Sequence, residues 1–204
     1  MADLTASDPS RAATVASSIR GSAELLARVA ADAELCAVTE QAAALVCARL
    51  RAGNKLLLCG NGGSAADAQH WAGELVSRFN YDRPGLAAVA LTTDSSNLTA
   101  IGNDYGYERV FSRQVEALGQ PGDVLFALST SGRSPNIVAA LVAARARGLA
   151  SVGFTGASGG DMAALCDLIV RVPSTATPAI QEVHEVLGHI ICGMIEAEMF
   201  PRPG

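Results

Sequence analysis

Apolar positions recur along this chain in two rhythms. Over residues 9–50 the sequence is rich in Ala, Leu, Val and Glu and shows no strand-like alternation. That pattern predicts two helices, broken near Ala31-Asp32, with Gly53-Asn54 ending the second. Residues 1–9 read as a loose tail. Short continuous apolar runs follow, each trailed by a helical stretch. Lys55-Leu56-Leu57-Leu58-Cys59 suits a strand covered on both faces, and a helix follows over 65–79. Residues 87–91 predict a second strand, with helical segments around Leu98 and over 107–118. A third strand spans 123–128, with a helix over 134–147. A fourth spans 150–155, with a short helix after it. A fifth spans 168–172, and a last helix runs over about 179–199.

Strands alternating with helices predict an α/β three-layer sandwich: a five-stranded parallel sheet flanked by helices, with an N-terminal helical extension. The expected organisation is one domain over 1–204, with residues 1–52 as oligomerising helices and 53–204 as the α/β core. No linker, low-complexity segment or internal repeat divides it. In such sheets ligands bind beyond the carboxyl ends of the strands. Two polar, glycine-rich loops are expected there.

The first is Ser129-Thr130-Ser131-Gly132-Arg133-Ser134, directly after a strand and directly before a helix. Free N–H groups and the helix dipole attract an anion at that end. Hydroxyls add donors, and Pro135 fits the first helical turn. An ordinary N-cap needs one serine, and four hydroxyls in six residues exceed that need. The loop reads as a phosphate cradle.

The second is Gly60-Asn61-Gly62-Gly63-Ser64-Ala65. Gly60, Gly62 and Ala65 fit a relaxed dinucleotide fingerprint, but the acidic residue expected about 20 residues on is missing. There is no G-K-[ST] phosphate loop. The run Gly62-Gly63-Ser64-Ala65-Ala66 lacks the last glycine of a nucleophile elbow. An amide side chain, bare backbone and one hydroxyl remain, which suits a sugar.

Ionisable groups sit on two of the helices. His70 and Glu74, spaced i,i+4, share a face just inside the helix after the Gly60–Ala65 loop. Gln181 and His189 lie eight residues apart on the last helix, and with Glu182, His184 and Glu185 they make one side of it polar. Burying such groups is expensive unless they pair or bind something. Spacing alone leaves two readings open, a site and a set of subunit-interface hydrogen bonds.

Composition narrows the partners. The chain is 50% hydrophobic and 17% charged, with a mean hydropathy of +0.27, which points to a homo-oligomer with apolar contacts. A net charge of -5 argues against a nucleic-acid partner. The five cysteines are scattered, with no C-x-x-C pair, which fits reduced thiols in the cytoplasm. Asp3 and Asp8 give the start of the chain no secretory pattern. No stretch is long enough to span a bilayer, so no membrane partner is expected.

With these residues assembled, the chain resembles the sugar isomerase (SIS) domain family and, within it, the phosphoheptose isomerases. The marks are the run from Cys59-Gly60-Asn61-Gly62-Gly63-Ser64 to Asp67-Ala68-Gln69-His70, then Ile101-Gly102-Asn103-Asp104-Tyr105-Gly106, then Ser129 to Ser134, then Ile180-Gln181-Glu182-Val183-His184. The resemblance implies a flavodoxin/Rossmann-like sheet and a cytoplasmic homotetramer. It implies isomerisation of D-sedoheptulose 7-phosphate to D-glycero-D-manno-heptose 7-phosphate through an enediol, for bacterial heptose and surface glycans. Ser129, Thr130, Ser131 and Ser134, with Ser64, match phosphate-binding positions. Asn61, Gly62, Gly63, Asn103 and Asp104 match other substrate-binding positions. Glu74 and His189 match the acid/base pair. His70, Glu74, Gln181 and His189 match ligands of one zinc ion per site, and Glu74 and Gln181 also face substrate. A metal-bound Glu74 would be a weaker base, a tension left open by the resemblance. Pro178 stands where some members carry an acidic residue. Asp67 and Arg78 read as supporting or surface residues. The alternatives are a non-catalytic relative that binds the replication initiator protein and an isomerase of another sugar phosphate.

Overall fold

Leu56–Cys59 (β1) is the strand on which the sheet is centred. In this computed structural model, which describes residues 9–202, β1 pairs in parallel with Ala88–Ala90 (β2) on one side and Val124–Leu128 (β3) on the other. Ala150–Thr155 (β4) and Leu168–Arg171 (β5) extend the sheet, giving the order β2-β1-β3-β4-β5. The tail expected over residues 1–9 lies outside the described residues except for Pro9, which opens the first helix.

Side chains alternate across a strand, so an apolar run feeds two cores at once. Leu56 and Leu58 join one cluster with Phe126, Phe154 and Val170. Leu57 and Cys59 join the other with Leu125, Ala127 and Ile137. The first cluster is covered by Ala33–Arg51 (α2), Gly63–Val76 (α3) and Thr177–Met199 (α7). The second is covered by Ser95–Tyr105 (α4), Ser112–Leu118 (α5) and Pro135–Ala146 (α6). The three-layer parallel sandwich is therefore the one that the apolar pattern predicts.

Pro9–Ala31 (α1) ends where the break was expected. Asp32 is extended, and its carboxylate accepts from Leu35 N at 3.0 Å, capping α2. Leu25 and Val29 of α1 and Leu35, Ala42 and Val46 of α2 belong to the sheet's own core. The outer half of α1 instead leaves Val15 and Ile19 60% and 65% exposed. Among the described residues no helix is long and apolar enough to cross a membrane.

Two helices differ from expectation. α3 stops at Val76 because the next donors and acceptors are claimed elsewhere. Phe79 N and Asn80 N donate to the Glu196 carboxylate, while the Arg83 guanidinium takes the carbonyls of Glu74 and Leu75. The helix expected over 107–118 divides into a 3-10 turn, Tyr107–Arg109, and α5. Gln114 Nε2 donates to the carbonyls of Leu91 and Val110, anchoring the start of α5 to the end of the second strand.

The chain leaves β1 for β2 on one side and returns to β3 on the other. That reversal is a switch point, where a crevice opens beyond the carboxyl ends of the two adjacent strands. The loops after β1 and β3 are the Asn61–Ser64 and Ser129–Ser134 segments, so the fold places both beside one crevice.

Candidate active site

The two loops are tied together by a reciprocal amide pair. Asn61 Nδ2 donates to Asn136 Oδ1 at 2.9 Å, and Asn136 Nδ2 donates to Asn61 Oδ1 at 2.8 Å. Asn136 is buried at the start of α6. Tyr107 Oη donates to the same Asn61 oxygen at 3.4 Å, bringing the segment after α4 over the first loop.

Within the second loop, Ser129 Oγ lies 2.9 Å from Ser134 Oγ and 3.4 Å from Ser131 Oγ. Ser131 Oγ accepts from Arg133 N at 3.2 Å. Ser134 is the N-cap of α6, yet its side chain makes no capping bond. The hydroxyls of Ser64 and Thr130 have no hydrogen-bond partner among the described residues. A cluster of hydroxyls at a helix start, not consumed by capping, is a set of donors for an anion. Gly132 shapes the loop: its φ is +66°, and a Cβ there would lie 2.2 Å from Gly159 O of the neighbouring loop.

Beside the loops, α3 and α7 pack face to face. His70 Nε2 lies 2.8 Å from His189 Nε2. Glu185 Oε1 is 3.2 Å from each of these nitrogens, and its Oε2 accepts from Trp71 Nε1 at 3.0 Å. Glu74 Oε1 is 3.5 Å from His70 Nε2. The Phe79 ring packs on His189 with centroids 5.4 Å apart. One ligand atom each from His70, Glu185 and His189 falls within 4.8 Å of the others. Two imidazoles and a carboxylate converging on one point form a donor set suited to zinc or a similar divalent ion.

Gln181 stands one turn before Glu185, where this seam meets the first loop. A Cβ on Gly63 would lie 2.2 Å from both Nε2 and Oε1 of Gln181, so only glycine lets the amide rest there. Gln181 Nε2 also donates to Asp67 Oδ1 at 3.4 Å. Burial pushes the Asp67 carboxyl up to about 6. The Gln181 bond opposes that rise, and the Glu185 charge adds to it.

A buried ion pair supports the far end of α3. Glu196 is fully buried and the Arg83 side chain is 2% exposed, with Nε and Oε1 3.2 Å apart. Burial works against the Glu196 charge, but donation from Phe79 N, Asn80 N and Arg83 outweighs it and holds its pKa below the usual carboxylate range. His184, also in the resemblance motif, points away into the core. Its Nε2 contacts Thr155 O at 3.2 Å, and burial pushes its pKa down to about 4.

Of the residues singled out from sequence, Asn61, Gly62, Ser129, Thr130, Ser131 and Ser134 lie in the two loops at the crevice, and Gly63 and Ser64 open the first turn of α3 beside them. His70, Glu74, Gln181 and His189 line the α3–α7 seam. Asn103 and Asp104 are exposed on α4, where Asn103 Nδ2 donates to Asp104 Oδ1 at 2.8 Å. Neither hydrogen-bonds to the loops among the described residues. Three participants were not singled out as site residues: Glu185, Asn136 and Tyr107. Glu185 carried a signal, standing midway between Gln181 and His189 in steps of four.

A model of the SIS domain matches residues 18–156. The chain is 59% identical over 188 residues to a phosphoheptose isomerase of Burkholderia pseudomallei, covering 92% of this chain and 95% of that protein. The chain belongs to the phosphoheptose isomerase family of SIS domain proteins. A phosphoheptose isomerase of Aneurinibacillus thermoaerophilus is 55% identical over 91% of this chain and 94% of its own length. The structure of a phosphoheptose isomerase from Neisseria gonorrhoeae superposes with a TM-score of 0.85 at 45% identity, covering 90% of this chain and 97% of that one. The matched SIS domain takes in both loops and all of α3. The α7 half of the seam lies beyond it, so in this member of the phosphoheptose isomerase family the histidine pair joins the SIS segment to the C-terminal helix.

Proposed function

We propose that the chain converts D-sedoheptulose 7-phosphate to D-glycero-D-manno-heptose 7-phosphate. The observation that carries this reading is the junction at Gly63, where the hydroxyl-rich crevice meets a seam of carboxylates and imidazoles. Ser129, Thr130, Ser131, Ser134 and Ser64 hold the phosphate. Asn61, Gly62, Gly63, Gln181, Asn103 and Asp104 hold the sugar. Glu74 takes a proton from C1 of the ketose, leaving an enediol, and returns it to C2, while a proton passes from O1 to O2 with His189 at the oxygens.

His70 and His189, with Glu74 and Gln181, are the proposed holders of one zinc ion per site. Bound there, zinc would polarise the substrate oxygens as a Lewis acid. The Glu185 carboxylate, 3.2 Å from both imidazole nitrogens, supports a division of labour. If Glu185 replaces Glu74 as the carboxylate ligand during turnover, Glu74 regains the basicity that proton transfer needs.

The proposed assembly is a homotetramer in the cytoplasm, feeding heptose to bacterial surface glycans, with no nucleic acid or membrane partner. Val186, Ile190 and Met194 form an exposed row on α7 beside the site, and the five cysteines are unpaired. A row of exposed apolar side chains is the kind of face that subunits cover. Light scattering of the purified protein tests the tetramer.

The deciding assay is incubation of the zinc-loaded protein with sedoheptulose 7-phosphate and detection of the aldose. Absence of turnover in well-folded protein would overturn the enzymatic reading and favour a binding role. Turnover only of another sugar phosphate would correct the substrate.

A further inference from the structure

Asp67 is a buried and poorly paired carboxylate beside the α3–α7 seam. It is 6% exposed. Its Oδ1 accepts from Gln181 at 3.4 Å, the long end of hydrogen-bond range, and its buried Oδ2 has no partner among the described residues. Leaving a buried polar group unpaired costs on the order of 1–3 kcal/mol. An apolar residue would be more stable at this position, so the carboxylate calls for an account beyond packing.

The group it touches is Gln181, whose amide is confined on two sides. The Gly63 backbone lies against it, close enough that a Cβ would meet both amide heteroatoms. Asp67 closes the other side. An ionised carboxylate only accepts, so the NH2 of Gln181 turns toward Asp67 and Oε1 turns away. Gln181, Glu185 and His189 follow one another in steps of four along one face of α7. The oxygen turned from Asp67 therefore belongs to the same row as the histidine pair.

We infer that Asp67 is a positioning residue that locks the Gln181 amide with its carbonyl oxygen presented to the site. The inference rests on Gln181 being a site residue of the isomerase. An amide is nearly symmetric in shape, so without a fixed partner it presents NH2 as readily as oxygen. NH2 repels a cation and cannot accept from a sugar hydroxyl.

The test is a set of three variants read by Zn2+ affinity, in competition with a chromophoric chelator, and by kcat and KM for sedoheptulose 7-phosphate. D67N preserves size but brings an NH2 of its own, which can donate to Oε1 and turn the glutamine around. D67N/Q181E provides an oxygen at both ends of residue 181, so one can accept from the new asparagine while the other faces the site. Zn2+ affinity is expected to fall about tenfold or more in D67N, with the melting transition retained, and to recover in D67N/Q181E. D67N with unchanged affinity and turnover overturns the inference, as does a loss that the double variant does not recover. Q181L separates the two levels. If Q181L binds Zn2+ weakly and D67N binds normally, only the inference fails. If Q181L is unaffected, the reading of Gln181 fails and the inference with it.

Discussion

A Cβ on Gly188 would stand 1.9 Å from Cε2 of the Trp71 indole. These two residues are the chain neighbours of His189 and His70, so a close approach of α7 to α3 is also where the imidazoles meet at 2.8 Å. G188A must push the helices apart or displace a buried indole that also packs on Phe154. The expected loss is about 1–3 kcal/mol or more in chemical denaturation, together with loss of turnover. A fully stable, active G188A would show that the seam tolerates a wider spacing.

Glu74 is half-buried and near His70, but it is not one of the three groups that converge most closely. E74Q keeps its shape and removes its basicity. We expect kcat to fall about 10²–10⁴-fold, with KM and the melting temperature little changed. Retained turnover would move the proton-transfer role to another carboxylate, with Glu185 the first to examine.

Ser134 occupies a cap position without capping α6. Replacing a true capping serine by alanine costs about 1 kcal/mol of stability. S134A should lose less than that and instead weaken the phosphate site. Loss of one hydrogen bond to a charged group, about 1.5–3 kcal/mol, should raise KM about 10- to 100-fold. A variant that is unstable but binds substrate normally would assign Ser134 to the fold alone.

His184 makes stability depend on pH. Its pKa drops from 6.5 to about 4 on folding because the ring is fully buried, against the opposing bond to Thr155 O. The unfolded chain takes up this proton below pH 6.5, whereas the folded chain does so only near pH 4. The stabilisation is therefore complete above 6.5 and is lost as pH falls toward 4, by about 3 kcal/mol over that window. Urea unfolding of wild type and H184Q at several pH values across it should give a shallower slope for the variant. Equal slopes would assign the acid sensitivity elsewhere.

Glu196 acts at lower pH. Its folded pKa is depressed, so its contribution is present at neutral pH and disappears as pH falls through that lowered value. E196Q leaves Arg83 buried without a counter-charge and should cost about 3–5 kcal/mol at neutral pH. The end of α3 should fray with it, which amide exchange at Phe79 and Asn80 would report. Unchanged protection there would show that Arg83 alone holds the helix end.

Much of this architecture was legible in the chain. The run Leu56–Cys59 is apolar at every position, which demands cover on both faces and so a parallel sheet between helices. The hydroxyls of Ser129–Ser134 follow a strand and precede a proline-led helix, so their place at an anion site followed from local chemistry. The pairing of Asn61 with Asn136 was not legible, because neither amide carries a local mark of its partner. Asp67 read as a supporting residue, and its orphaned oxygen became visible only with Gln181 packed above it.

The sequence by itself determined which faces are buried, where strands end and which side chains share a helical face, because periodicity is a local property of the backbone. Only the tertiary structure decided which faces meet. His70 and His189 are 119 residues apart in the chain. Their 2.8 Å contact depends on the register of α7 against α3, which the fit of Gly188 on Trp71 sets. That register also places Glu185 opposite His70 and Gln181 against Gly63, a choice made by packing, whereas Glu185 meets His189 through their i,i+4 spacing on α7 itself.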